Sequence, residues 1–216
     1  MLTFEWYGQA CFKIENQSTV VTDPHDGETI GLNPPPANIA DLVTISHRHH
    51  DHSSGEDIVT REGSTVIKNS GSYTEQGVSI KGIDSFHDKV RGSKRGENVI
   101  FVFEMEGRKI CHLGDLGHQL GEEDIEKIGS IDVLLIPVGG NYTINGSEAA
   151  DLTKWLNPQV VIPIHFLVEG LTVEISGLEE FIGEIRTKYE VKEENVLKLD
   201  GIPEVKQAVQ LECLAN

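Results

Sequence analysis

The sequence predicts a layered α/β domain rich in β-strand. Three observations predict it. Short strand-like runs crowd the first half of the chain, strands and helices mix in the second, and two late runs are apolar throughout. That order suits sheets packed on one another with helices outside. No linker, low-complexity tract or internal repeat interrupts the 216 residues, so the expectation is one domain over 1–216.

The strand candidates come in order. LTFEWYG, ACFKIEN and STVVTDP open the chain, and LVTIS, STVIKNS, VSIKGIDSF, NVIFVFEMEG and RKICHLGD follow. ENQS and MEGRK carry the residues of hairpin turns between such runs. NPPPAN (33–38) cannot join a regular element and is expected as a surface loop. IDVLLIPV and QVVIPIHF are strand-length and continuously apolar, as strands buried on both faces are.

Helical patterns are fewer. Ser53 to Thr60 begins S-x-x-E with Ser53 and Glu56, a capping-box spacing, and SGLEEFIGEIRTKYE (176–190) begins the same way. GEEDIEKIG (121–129) is acidic at its start, which suits a helix N-terminus. SEAADLTKWL (147–156) stops before Asn157-Pro158.

With 18 basic and 35 acidic residues the formal charge is −17. This argues against nucleic acid or an anionic membrane as partner. It does not exclude a small anionic substrate, because bound metal ions reverse the local potential. Cys11, Cys111 and Cys213 are odd in number and far apart, so they read as buried small hydrophobes. MLTFEWYGQA has no basic start, and no apolar run approaches the ~20 residues of a membrane span. The expectation is a reduced, cytoplasmic protein, with homo-oligomerisation left open.

SHRHHDHSSG (46–55) concentrates four of the nine histidines and one aspartate between His47 and His52. A solvated surface patch would have arbitrary spacing. Here the spacing is H-x-H-x-D-H, between a strand candidate and a helix start. On such a turn His47 and His49 can face one way and Asp51 and His52 another. Neutral imidazoles and a carboxylate suit zinc, iron or manganese, and two groups of donors can begin two metal sites. His50, at an x position, stands outside that set.

The run closely resembles the [T/S]-H-x-H-x-D-H-x-x-G signature of the metallo-β-lactamase-fold hydrolases, down to Gly55. The resemblance implies an αββα sandwich with a dinuclear metal site at one edge. It also implies further pieces. Asp23 in VVTDP would orient the ligand turn from behind. His87 in IDSFHD would be the third histidine of the first metal, with His112 or His25 as replacements. Asp115 in CHLGDLG would bridge the metals, and His165 in VVIPIHF would complete the second. Each has a plain alternative: Asp23 as a turn starter before proline, His87 as a surface histidine. His112, inside a strand and three residues before Asp115, suits packing or support behind the ligands.

WYGQACFKI, Asp23-Pro24, the plain His87, GDLGH (114–118) and IPVGGNYTI (136–144) resemble one branch of that superfamily, which contains the ascorbate-6-phosphate lactonases. Gln9 departs from relatives that carry histidine there. The resemblance implies hydrolysis by a hydroxide held between two divalent ions, zinc with manganese or iron as alternatives, and Asp51 and Asp115 as catalytic residues. The expected substrate is a small, anionic ester, lactone or phosphoester. The alternatives are a nuclease or phosphodiesterase of the same fold and a non-catalytic or redox metal module. DKVRGSKRGEN (88–98) is the densest basic stretch. It reads as a solvated hairpin loop or as a lid whose Lys89, Arg91, Lys94 and Arg95 hold an anion. His118, Asn141 and Tyr142 follow strand ends and are further candidate substrate contacts.

Overall fold

A computed structural model describes residues 1–216. The first sheet contains β1 (Leu2–Trp6), β2 (Phe12–Glu15), β3 (Thr19–Thr22), β4 (Ala40–Thr44), β5 (Thr60–Ile67) and, from late in the chain, β13 (Leu197–Leu199). Their spatial order is β13-β1-β2-β3-β4-β5. The second contains β6 (Gly71–Glu75), β7 (Val78–Phe86), β8 (Glu97–Met105), β9 (Arg108–His112), β10 (Val133–Pro137), β11 (Val160–Ile164), β12 (Glu190–Glu194) and β14 (Gln207–Leu211). Its order is β12-β14-β11-β10-β9-β8-β7-β6. Both sheets contribute to one cluster of 61 buried apolar residues, so they pack face to face. This is the layered sandwich that the sequence predicts.

The two apolar runs become β10 and β11, parallel neighbours with every residue buried. Antiparallel hairpins join β2 to β3, β7 to β8 and β8 to β9. Glu106 and Gly107 both take positive φ between β8 and β9, as a two-residue type I′ turn requires. All three cysteines are buried and free, and burial raises the thiol pKa of each.

The helices are α1 (His50–Ser53), α2 (Glu56–Val59), α3 (Glu122–Ile128), α4 (Gly146–Leu156) and α5 (Glu179–Ile185). α4 carries a reciprocal cap between Asn145 and Glu148, and Asn157 ends it in the left-handed region. Two expected caps are not formed. Ser53 ends α1, where its hydroxyl donates to the His49 carbonyl, and Glu56 pairs with Lys68 instead. Ser176 bonds through its backbone to Gly139 and Leu167, so α5 cannot begin until Glu179. β6, β12, β13 and β14 are strands that the sequence reading did not assign. β12 is a charged edge strand, EVKEE, whose polarity blunts the sheet edge and hides the strand pattern. No helix is long and apolar enough to cross a membrane.

Gly55 shows how tightly α1 and α2 are seated beneath β3. Its N–H donates to the Pro24 carbonyl, and a Cβ there would lie 2.3 Å from the His25 carbonyl oxygen. We expect Gly55→Ala to force the ligand turn away from β3 and to cost about 1–3 kcal/mol. Denaturant unfolding of the variant measures this, and unchanged stability would contradict the seating.

Candidate metal centre

The candidate ligands all follow the C-terminal ends of strands. Asp23 follows β3, residues 46–52 follow β4, His87 follows β7, Asp115 closes the turn after β9, and His165 follows β11. That turn after β9 is cramped. Gly114 has φ +55, and a Cβ on it would lie 2.5 Å from Ser46 Cβ, so only glycine fits. Gln9, Asp23 and His165 also take positive φ at strand ends. Non-glycine residues seldom adopt that backbone, and here it aims side chains at one point.

Asp23 is the anchor behind the ligands. The Ser46 N–H donates to its Oδ1 at 2.6 Å, and the Ser46 hydroxyl donates to its Oδ2 at 2.6 Å. His52 Nδ1 lies 3.2 Å from the same Oδ2. The Ser46 hydroxyl proton is thereby committed, so the 3.0 Å contact from His47 Nδ1 to Ser46 Oγ requires an Nδ1–H donor. His47 and His52 are then both Nδ1–H tautomers when neutral, with Nε2 lone pairs facing inward.

The inward atoms meet at Asp115, which is 2% exposed. Its Oδ2 lies 3.3 Å from His52 Nε2, 3.3 Å from His165 Nε2, 3.4 Å from His87 Nε2 and 3.8 Å from His47 Nε2. His47 Nε2, His52 Nε2 and Asp115 Oδ1 are buried without any hydrogen-bond partner. Such a gathering of unpaired acceptors is costly unless a cation resolves it. The donors divide into two triads, His47/His49/His87 and Asp51/His52/His165. A third grouping, Asp23/His47/His52, is the scaffold already described, because Asp23 is occupied by Ser46 and His52.

Burial lowers His47 to about 3, with His52 adding to the effect, and burial also lowers His87 to about 4. Neutral imidazoles are the state a metal needs. Burial opposes ionisation of Asp115, but His165 and His52 outweigh it and hold the carboxyl well below the ordinary range. Burial likewise disfavours a charged His52, yet Asp115 and Asp51 raise it well above free imidazole. A proton on His52 and a metal cation answer the same excess of negative charge.

His112 lies fully buried in β9 with Nε2 3.0 Å from the Ala10 carbonyl, outside both triads. His25 Nε2 is 2.7 Å from the Tyr7 carbonyl and is outside them too. His50 is exposed beside Asp26. A cavity of about 170 Å³ over the centre is lined by His49 and His87 of one triad and Asp51 and His165 of the other, together with Asp115, Arg95, Tyr142 and Val173. The Arg95 guanidinium lies 4.3 Å from the Tyr142 ring centre.

Three expected substrate contacts do not line this cavity. Both His118 ring nitrogens are engaged, Nε2 by the Phe86 N–H and Nδ1 by the Gln119 carbonyl. Asn141 donates to the Glu174 carbonyl. Arg91 is exposed and faces elsewhere. Asp88 explains which arginine of the basic stretch arrives: its carboxylate accepts from the N–H groups of Val90, Gly92, Lys94 and Arg95 at 2.8–2.9 Å. The stretch is thus a tied loop rather than a loose lid, and Lys89 is drawn off to Glu148.

Four positioning residues escaped the sequence reading of the site: Asp88, Ser46, Gln9 and Asn98. Gln9 Nε2 is 3.4 Å from Asp51 Oδ2, and its carbonyl accepts from the His165 N–H. Asn98 accepts from the Asp115 N–H and donates to Ser85 and Leu113. Three signals were readable: Ser46 fills the [T/S] position of the signature, Gln9 stands where relatives carry histidine, and Asp88 directly precedes a Gly/Lys/Arg-rich loop.

A layered sandwich with histidine and aspartate triads at one sheet edge defines a metallohydrolase class. The model of the β-lactamase superfamily domain matches residues 3–165. A UPF0173 metal-dependent hydrolase of Thermoplasma volcanium is 32% identical over 192 residues, covering 74% of this chain and 82% of that protein. A Thermotoga maritima structure described as a Zn-dependent hydrolase of the metallo-β-lactamase superfamily is 38% identical. It covers 98% of both chains with a TM-score of 0.80. A structure from Parabacteroides distasonis has a TM-score of 0.71 at 15% identity over 99% of this chain and 93% of that one, a likeness of fold. The chain belongs to the β-lactamase superfamily, and within it to the UPF0173 metal-dependent hydrolases.

A pH dependence follows for chelator-treated protein. Burial lowers His25, His47, His87 and His112 relative to unfolded histidine, and His52 alone is raised. Between the unfolded value near 6.5 and the lowered folded values, the unfolded chain binds more protons at the first four. Their stabilisation is present above about pH 6.5 and is lost as pH falls. His52 acts oppositely, with stability present below the unfolded value and lost as pH rises through the folded one. Four outweigh one, so the melting temperature should fall from pH 7 to pH 5. A flat profile would contradict the buried neutral state.

Proposed function

We propose that this metal-dependent hydrolase holds two divalent cations and cleaves a small anionic ester, lactone or phosphoester. The supporting observation is Asp115 Oδ2, within 3.8 Å of four Nε2 atoms that belong to two separate triads. His47, His49 and His87 would hold one cation, Asp51, His52 and His165 the other, and Asp115 would touch both. Imidazole and carboxylate donors suit zinc, with manganese and iron as alternatives. Cations so held acidify a water toward neutral pH and polarise the oxygen of the scissile group.

The protein's own residues do the rest. Asp23 fixes the tautomers of His47 and His52 through Ser46 and its own Oδ2. Asp51, partly exposed to the cavity and restrained by Gln9, is placed to accept a proton and deliver it to the leaving group. Arg95, braced on Tyr142 and tied by Asp88, presents a fixed positive charge to an anionic substituent.

Elemental analysis after reloading with zinc, manganese or iron should give two ions per chain. His87→Ala should keep about one and lose activity by about 1000-fold or more, while His112→Ala keeps two. One ion or none in the parent protein would overturn the dinuclear reading.

Arg95→Ala should raise KM about 10-fold on the best substrate from a lactone, thioester and phosphodiester panel, equivalent to about 1.4 kcal/mol. Arg91→Ala should leave it unchanged. Equal effects would mean that the loop acts through diffuse charge alone.

A further inference from the structure

Beside the metal centre lies a larger cleft of about 520 Å³, and the two cavities share His49 and Arg95 as a common wall. Its volume is that of a small-molecule site, but its lining is not. Of 12 lining residues only Val99 is hydrophobic.

The polar groups in it are largely uncommitted. Lys68 is neutralised by Glu56. Arg48 and Arg95 have no ion-pair partner, and neither do Asp84 and Glu97. Asp84 pairs with Val99, and Phe86 with Glu97, across β7 and β8. Asp84 and Glu97 therefore stand on the same sheet face as diagonal neighbours. Ser85 and Asn98, between them, turn the other way and are buried behind Asp115. The β7–β8 ladder thus supports the metal centre with one face and lines the cleft with the other.

This combination selects a ligand chemistry. An acyl chain would strip water from two carboxylates and two guanidiniums and gain one apolar contact in return. A simple dianion would meet Arg95 and Arg48 but be repelled by Asp84 and Glu97. Hydroxyl groups satisfy both kinds of side chain, because they donate to carboxylates and accept from guanidiniums.

We propose that the cleft is a second subsite for a polyhydroxylated organic anion, with the anionic group shared by Arg48 and Arg95 and the hydroxyls on Asp84 and Glu97. The proposal rests on the hydrolytic reading of the adjoining centre and deepens it. The bond to be cleaved lies over the 170 Å³ cavity, and the hydroxylated remainder lies in the cleft.

Three probes separate the requirements. Gluconate has one carboxylate, six carbons and five hydroxyls, hexanoate keeps the charge and carbons without hydroxyls, and sorbitol keeps hydroxyls without charge. Each is titrated into zinc-loaded and into chelator-treated protein, followed through the backbone amide resonances of Asn69, Ser70 and Gly96. Gluconate should bind at least about 10-fold more tightly than either control. Asp84→Asn/Glu97→Gln should remove its advantage over hexanoate without changing metal content. Arg48→Ala should reduce its advantage over sorbitol. Equal binding of hexanoate, or a gluconate advantage that survives Asp84→Asn/Glu97→Gln, would overturn the proposal. The second outcome would assign the hydroxyl preference to chelation of the zinc. The chelator-treated titration keeps this test separate from the metal count, so either reading can fail alone.

Discussion

The constraint on which the rest depends is a carboxylate, that of Asp115, buried with one oxygen among imidazole nitrogens and the other without a partner. Left alone, such a group would be among the most unfavourable features of the fold. Much of the surrounding architecture keeps it there. Asn98 holds its backbone, Gly114 allows the turn that delivers it, and the Asp23–Ser46–His52 bonds stop the rings from turning away. The two sheets are the frame for this convergence, because the candidate ligands follow strand ends from both.

Much of the ligand set was legible because metal chemistry restricts residue types. H-x-H-x-D-H falls between an apolar strand and helical structure as read, although the helix expected over Ser53–Thr60 is two short ones, α1 and α2, the first beginning at His50. The buried parallel pair β10–β11 was equally legible from unbroken apolar runs. The edge strand β12 was not, because charge on both faces erases the alternation that marks a strand. The Ser53 and Ser176 caps failed for two reasons: Ser53 already closes α1 with its hydroxyl on the His49 carbonyl four residues back, and the Ser176 backbone is claimed by Gly139 and Leu167.

The supporting residues were hidden for a different cause. Gln9, Asn98 and Asp88 act through hydrogen bonds to groups made neighbours by sheet register or loop closure, which residue type alone does not specify. Arg91 and Arg95 could not be told apart in the sequence, four residues apart in one basic loop. The bonds from Asp88 to the backbone decide which of them reaches Tyr142.

That loop has a consequence for how the enzyme meets its substrate. Four amide donors converge on one carboxylate, so the loop's conformational entropy is lost once, during folding, and not again at each encounter. A fixed rim neither wraps around a guest nor widens for a larger one. Breadth of diet in this lineage would then change through the length and composition of the segment after Asp88, with the metal ligands left untouched.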